Sequence, residues 1–242
     1  MPSYGDPKYW DKRYKDQEDT TFDWLEDWNS LKEILEQVVK KDSRILILGC
    51  GNAEFSEEMY DAGYEDIENI DISPVVIDQM SKRNQDRSKM KWEIMDCTEL
   101  KYESDTFDIC IDKSTIDALL CGDNAFLNVA TMTKEVQRVL KPGAIYFVVS
   151  YGSPEIRTFH FERAHLDFEV KQYILYPDNC KSEEEKNDKS HFVYVCTKGK
   201  NAERAQDNWP QIKEQLEQEA KEEEALAVSD DSDDQNSDNE GK

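Results

Sequence analysis

The sequence predicts an α/β fold: a doubly wound, mostly parallel sheet with helices on both faces, closed at its C-terminal end by an antiparallel hairpin. Three observations carry this expectation. Strand-like and helix-like segments alternate over residues 44–149, the pattern of a parallel sheet with covering helices. The first strand, Arg44-Ile45-Leu46-Ile47-Leu48, is a continuous apolar run, so both of its faces are buried. The last two extended runs, 168–176 and 191–197, are joined by the polar stretch 177–190, which has no helical pattern. Strands joined without a covering helix must be antiparallel.

Ahead of the sheet, Trp24, Trp28, Leu31, Leu35 and Val38 recur at helical spacing and predict one amphipathic helix. Lys40 and Lys41 sit at its end, where cations complement the helix dipole. Gly49-Cys50-Gly51-Asn52 stops the first strand, and helix-like sequence follows over 53–61, with Gly63 beyond it. The second strand, 66–70, ends at Asp71. Ser73-Pro74 then supplies an N-cap and a first-position proline for a helix whose apolar side is Val75, Val76 and Met80. Residues 90–95, 107–111 and 145–149 read as the third to fifth strands, the fifth preceded by a helix carrying Val136, Val139 and Leu140 and ended by Lys141-Pro142-Gly143. The chain thus divides into an N-terminal aromatic segment with its helix (1–43), the sheet domain (44–200), a helix around Trp209, Ile212 and Leu216 (201–228), and a tail (229–242) too polar to bury a core and expected to stay unfolded.

At 242 residues the chain supports one good core. Its formal charge is −24, and the last 26 residues hold 11 acids against two lysines, so the folded part is acidic as well. Such a surface repels phosphates and makes nucleic acid a poor partner. It suits a basic protein or a cationic small molecule. The six cysteines form no C-x-x-C pair and only three histidines accompany them, so no metal site is expected. The first residues lack a basic and apolar leader pattern, and no apolar run is long enough to span a bilayer. The expectation is a protein of a reducing compartment, cytoplasm or nucleus, with no membrane partner.

The chemistry concentrates at strand ends. Gly49-Cys50-Gly51 follows a buried strand, and Asp71 lies 20 residues after Gly51 at the tip of the next. Glycines let backbone pass close under a ligand, and the acid accepts hydrogen bonds from ribose hydroxyls. Where a dinucleotide loop has its third glycine, this chain has Glu54. A carboxylate in the first turn of that helix would repel a pyrophosphate and tolerate a sulfonium, which predicts S-adenosyl-L-methionine rather than NAD. Asp96 ends the third strand, placed for the adenine amine, with the N–H of Cys97 reaching a ring nitrogen. Lys113 and its neighbours Asp112 and Asp117 follow the fourth strand, at the edge where open α/β sheets bind ligands.

Tyr9-Trp10-Asp11-x-Arg13-Tyr14, Phe22-Asp23-Trp24, Ile45-Leu46-x-Leu48-Gly49-Cys50-Gly51-Asn52 and Asp112-Lys113-x-Thr115-x-Asp117-Ala118-Leu119 together resemble the methyltransferase-like family of lysine methyltransferases, whose members act on translation elongation factor 1-alpha and citrate synthase. The resemblance covers residues 7–198. It implies a Rossmann-like, seven-stranded class I methyltransferase sheet and a protein substrate, elongation factor 1-alpha being first in line. It also implies cofactor contacts at Trp10, Tyr14, Trp24, Gly49, Asp71, Ile72, Asp96, Cys97 and Lys113, with the aromatic N-terminus folding over the cofactor as a lid.

A lysine acceptor must lose a proton before it attacks, and Asp112 and Asp117 are the expected proton acceptors. The absence of an Asn/Asp-Pro-Pro-Tyr run after the fourth strand argues against nucleobase amines. A small-molecule methyltransferase and a non-catalytic scaffold on the same fold are the alternatives.

Overall fold

In the computed structural model, which describes residues 2–18, 20–177 and 182–234, seven strands form one sheet: β1 (Ile45–Leu48), β2 (Ile67–Asp71), β3 (Met90–Ile94), β4 (Phe107–Lys113), β5 (Leu140–Ser150), β6 (Phe168–Leu175) and β7 (His191–Lys198). Their spatial order is β3-β2-β1-β4-β5-β7-β6. β1 to β5 pair in parallel, and β7 runs antiparallel between β5 and β6. This is the predicted sheet. The order reverses between β1 and β4, and that switch point is where the strand ends leave a crevice.

The helices are α1 (Pro7–Asp16), α2 (Trp28–Val38), α3 (Phe55–Asp61), α4 (Pro74–Arg83), α5 (Thr115–Leu119), α6 (Ala125–Val139), α7 (Pro154–Arg157), α8 (Glu183–Asp188), α9 (Ala202–Ala205) and α10 (Trp209–Asp234). β1 is apolar throughout because both layers need it. Ile45 and Ile47 pack with Leu31, Leu35, Phe55 and Met59 on one face, while Leu46 and Leu48 pack with Val129, Met132 and Val136 on the other.

Helix starts follow their caps. Asp6 precedes Pro7 and accepts from the Lys8 N–H at 2.9 Å, Asp27 accepts from the Ser30 N–H at 2.9 Å, and Ser73 precedes Pro74. The Asp27 cap shortens the amphipathic helix predicted from Trp24. Leu25 takes a left-handed φ of 63°, so Trp24 lies outside the helix and is free to turn elsewhere.

Four further details depart from the sequence reading. Lys141-Pro142-Gly143 does not separate helix from strand: β5 begins at Leu140, and the irregular register opposite Phe107 takes up the turn residues, with Gly143 at φ 79°. α5 was not anticipated. The polar connection before β7 contains α8, started by the Ser182 hydroxyl accepting from the Glu185 N–H at 3.0 Å. α10 continues past residue 228; ten of the twelve residues 217–228 are the strong helix formers Glu, Ala, Leu and Lys. The remainder of the expected unfolded tail, 235–242, lies outside the described residues. No helix among the described residues is long and apolar enough to cross a membrane.

Residues 3–18 and 20–25 form a strap across the carboxyl ends of the strands. On one side α1 packs on α4 through Tyr14, Val76, Ile77 and Met80. The Ser73 hydroxyl donates to Asp11 at 2.6 Å, and the Gln79 amide donates to the Tyr14 carbonyl at 3.0 Å. On the other side backbone meets backbone: a Cβ on Gly5 would lie 2.2 Å from the Cα of Gly122, in the turn between α5 and α6. Between these supports, the buried Lys113 ammonium pairs with the Asp23 carboxylate and donates to the Trp24 carbonyl at 2.8 Å.

The layers and the strap separate experimentally. Leu35→Ala, at a fully buried position, is expected to cost about 3 kcal/mol in denaturant unfolding. Gly5→Val cannot relax cheaply against backbone. It is expected to speed proteolysis within the strap roughly tenfold and to move the Trp10 and Trp24 fluorescence, with the global unfolding midpoint nearly unchanged.

Candidate functional site

The turn after β1 opens the site. Gly49 and Gly51 have φ of 55° and 54°, a region that disfavours side chains. A Cβ on Gly49 would meet the Thr115 hydroxyl at 2.3 Å, and one on Gly51 would meet the Tyr14 hydroxyl at 3.0 Å. Below the strap this turn borders a cavity of about 560 Å³. Every residue expected to contact a cofactor borders that cavity: Trp10, Tyr14 and Trp24 from the strap, Gly49 and Gly51 from the turn, and Asp71, Ile72, Asp96, Cys97 and Lys113 from the ends of β2, β3 and β4.

Asp71 is buried, and burial pushes its carboxyl up to about 6 against the pull of two backbone donors. Its Oδ2 accepts from the Gly51 N–H at 3.0 Å and its Oδ1 from the Ser73 N–H at 2.9 Å. Each oxygen has two lone pairs, so each keeps one acceptor direction beyond these bonds. Asp96 spends Oδ1 on the Thr98 N–H at 2.8 Å and the Thr98 hydroxyl at 2.7 Å.

The two expected proton acceptors part company. Asp117 borders the cavity, paired with Arg157 at 2.8 Å. Asp112 does not border it. It is fully buried, with its carboxylate accepting from the Thr115 N–H at 2.8 Å, the Ile116 N–H at 3.2 Å and the Tyr146 hydroxyl at 2.8 Å. Burial pushes its carboxyl up to about 7. Strand alternation accounts for this, since the end of β4 can aim only one of Asp112 and Lys113 toward the cavity. Asp112 therefore orders α5 instead of facing a substrate.

Glu54 also departs from expectation. Its carboxylate turns outward, to Arg83 at 3.1 Å and to the Thr21 hydroxyl at 3.3 Å, and does not border the cavity. The Arg83 guanidinium holds the side chain there, away from the cavity lining.

The strap's aromatics form a cluster. Trp10 stacks on Tyr14 with centroids 5.9 Å apart, and Trp10 and Trp24 meet edge to face at 6.1 Å. Arg13, which sequence reasoning passed over, also borders the cavity. Its guanidinium lies 4.8 Å from the Phe22 ring centroid and 5.2 Å from that of Trp24. No carboxylate among the described residues pairs with it. The signal that could have found it is the spacing Trp10, Arg13, Tyr14, which puts all three on one helix face. Lys113 is lowered from its ordinary value by burial, with Asp23 opposing that shift, and its ammonium is spent on the strap. Among the described residues no cluster of side chains could hold a metal, and the five cysteines there are free.

Comparison with known proteins gives the same fold and a family. A methyltransferase-domain family matches residues 39–225. The chain is 36% identical over 201 residues to the eEF1A lysine and N-terminal methyltransferase of Mus musculus, covering 81% of this chain and 29% of that protein. It is 33% identical over 177 residues to the EEF1A lysine methyltransferase 4 of Mus musculus, covering 69% of each. The chain thus spans under a third of the first relative's length. Among solved structures, the N-methyltransferase NodS from Bradyrhizobium japonicum in complex with S-adenosyl-L-homocysteine superposes with a TM-score of 0.56 at 14% identity, over 82% of this chain and 99% of that one. A SAM-dependent methyltransferase from Methanosarcina mazei gives 0.54 at 18% identity, over 69% and 97%. At such identities these two show the fold alone. The family match and the relatives together place the protein: the chain belongs to the methyltransferase-domain family.

Proposed function

We propose that this protein is an S-adenosyl-L-methionine-dependent protein-lysine methyltransferase acting on a basic protein, elongation factor 1-alpha first. The observation that carries the reading is the order of groups along the cavity below the strap: Asp96, Asp71, the Gly49–Gly51 turn and Asp117. In the sheet these sit at β3, β2, β1 and just beyond β4. Two strand spacings, about 10 Å, separate β3 from β1. That is the scale of an adenosine, which would leave the β4 side, with Asp117, to the reaction.

The residues fit that cofactor in kind. Asp96 would accept from the adenine amine, with the Cys97 N–H donating to the ring and Ile72 lying at the ribose beside Asp71. Asp71 uses its remaining lone pairs for the ribose hydroxyls. Gly49 and Gly51 present backbone without a Cβ. Arg13 supplies a cation for the amino-acid carboxylate, while Trp10, Tyr14 and Trp24 exclude water. Bound there, S-adenosyl-L-methionine supplies an electrophilic methyl group on a sulfonium. Lys113 holds the strap closed over it and keeps a positive charge near the acceptor. Desolvation and that charge both favour the neutral form of an incoming lysine amine. Asp117 is the carboxylate left to take the proton, directly or through water. The substrate reading is supported by the names of the relatives and by the chain's net charge of −24, which attracts a basic partner.

Two outcomes are expected. With labelled cofactor and recombinant elongation factor 1-alpha, label enters the factor, and one Lys→Arg variant of the factor abolishes it. Label absent from the wild-type factor would remove the substrate claim and leave the family standing. The second outcome concerns Asp71. Its folded value of about 6 lies above the ordinary carboxylate range, so it is ionised above that pH and protonated below it. Ribose hydroxyls donate to the ionised form, so affinity for S-adenosyl-L-homocysteine is full near pH 8 and is lost as pH falls through 6. Calorimetry should show about a tenfold weakening at pH 5, and Asp71→Asn should bind weakly with a flat profile.

A further inference from the structure

The wall of the cavity opposite the strap is built around a buried arginine that the reaction scheme above does not use. Arg157, on α7, is only 6% exposed. Its guanidinium donates to the Asp117 Oδ1 at 2.8 Å and to the Ser150 hydroxyl oxygen at 2.9 Å. Ser150, the last residue of β5, also accepts from the Gly152 N–H at 3.0 Å. With donors on two sides, its own hydroxyl hydrogen has one place to go, and it donates to Asp117 Oδ1 at 2.7 Å. The Tyr151 N–H donates to the other oxygen, Oδ2, at 3.2 Å. Three donors therefore fix the Asp117 side chain, with Oδ1 saturated and one lone pair of Oδ2 unspent. Asp117 and Tyr151 both border the cavity, and the Tyr151 side chain is 60% exposed.

Gly152 shows how closely the guanidinium fits. A Cβ there would lie 2.3 Å from the Arg157 Nη2 and 2.5 Å from its Nε. The Tyr194 hydroxyl, donating to the Gly152 carbonyl at 2.7 Å, keeps that backbone from withdrawing. Glycine is required at 152 because the arginine occupies the space a side chain would fill.

We propose that Arg157 is a positioning residue of the acceptor site: with Ser150 it clamps Asp117 so that the unspent lone pair of Oδ2 receives an N–H of the substrate lysine, whose methylene chain lies against Tyr151. The inference rests on the lysine-methyltransferase reading above and adds the side of the site that holds the amine. Arginine suits this position better than lysine, because its planar fork reaches Asp117 and Ser150 together.

The test uses the full chain, labelled cofactor, elongation factor 1-alpha as acceptor, and calorimetry with S-adenosyl-L-homocysteine. Arg157→Gln removes the clamp. Gly152→Ala keeps the arginine but pushes its guanidinium off Asp117, which covers the case in which the first variant folds poorly. Both are expected to lower kcat/KM for the protein acceptor roughly 10- to 100-fold, with the rise in KM as the larger part, while affinity for S-adenosyl-L-homocysteine stays within about twofold of wild type. Arg157→Lys should restore part of the loss. Wild-type kcat/KM in Arg157→Gln and Gly152→Ala overturns the clamp and leaves the enzyme reading intact. Parallel loss of homocysteine-ligand affinity also overturns it, since the arginine would then support the whole site. A wild-type protein that binds the ligand and methylates no lysine removes the function reading, and the clamp with it.

Discussion

Neighbouring residues of a strand point to opposite faces, and at the end of β4 that rule separates Asp112 from Lys113. Both walls of the site depend on the separation. Asp112 turns into the apolar layer and accepts the first N–H groups of α5, at Thr115 and Ile116, so the helix starts at a fixed point. Ser114 takes a left-handed φ of 68° to make that turn. Asp117, two residues into the new helix, thereby meets Ser150 and Arg157. Lys113 turns the other way, to Asp23 and the Trp24 carbonyl, and draws the strap down over the glycine turn.

Neither arrangement is cheap. A carboxyl buried as deeply as Asp112 is pushed up to about 7, so two backbone donors and the Tyr146 hydroxyl are needed to keep it tolerable. Lys113 and Asp23 each shift toward their neutral forms through burial, and each is held back by the other. Buried ion pairs of this kind contribute little net stability compared with apolar packing. Their use here is geometric: they fix where two segments far apart in sequence must sit.

The fold was legible because its signals are local. The apolar run of β1, the Ser73-Pro74 cap and the glycine turn each speak through a few consecutive residues, and the acids at the ends of β2 and β3 inherit their meaning from strand position. What was misread needed orientation. Asp112 and Lys113 are adjacent, and sequence alone does not say which faces the crevice. Glu54 was read from its place in the first turn of a helix, but Arg83, 29 residues later, draws its carboxylate outward. Arg157 was invisible for a similar reason: its partners Ser150 and Asp117 lie seven and 40 residues away, and no periodicity links them. Helical spacing put Trp24 in the amphipathic helix while the family resemblance put it in the lid, and the Asp27 cap decides for the strap.

The two walls of the cavity differ in what holds them. The wall at Asp117 is tied to Ser150, the last residue of β5, and to Tyr151 and Gly152 just beyond it. It is complete before any ligand arrives. The strap is held by a helix packed on α4, one backbone contact at Gly5 and Gly122, and the Lys113–Asp23 pair. Moving the strap off the sheet would break that ion pair, and a half-broken buried pair is worse than one intact or one fully hydrated, so the strap would approach two-state behaviour. The two walls are thus fixed by different means: hydrogen bonds to the end of β5 on one side, and an ion pair between segments 90 residues apart on the other.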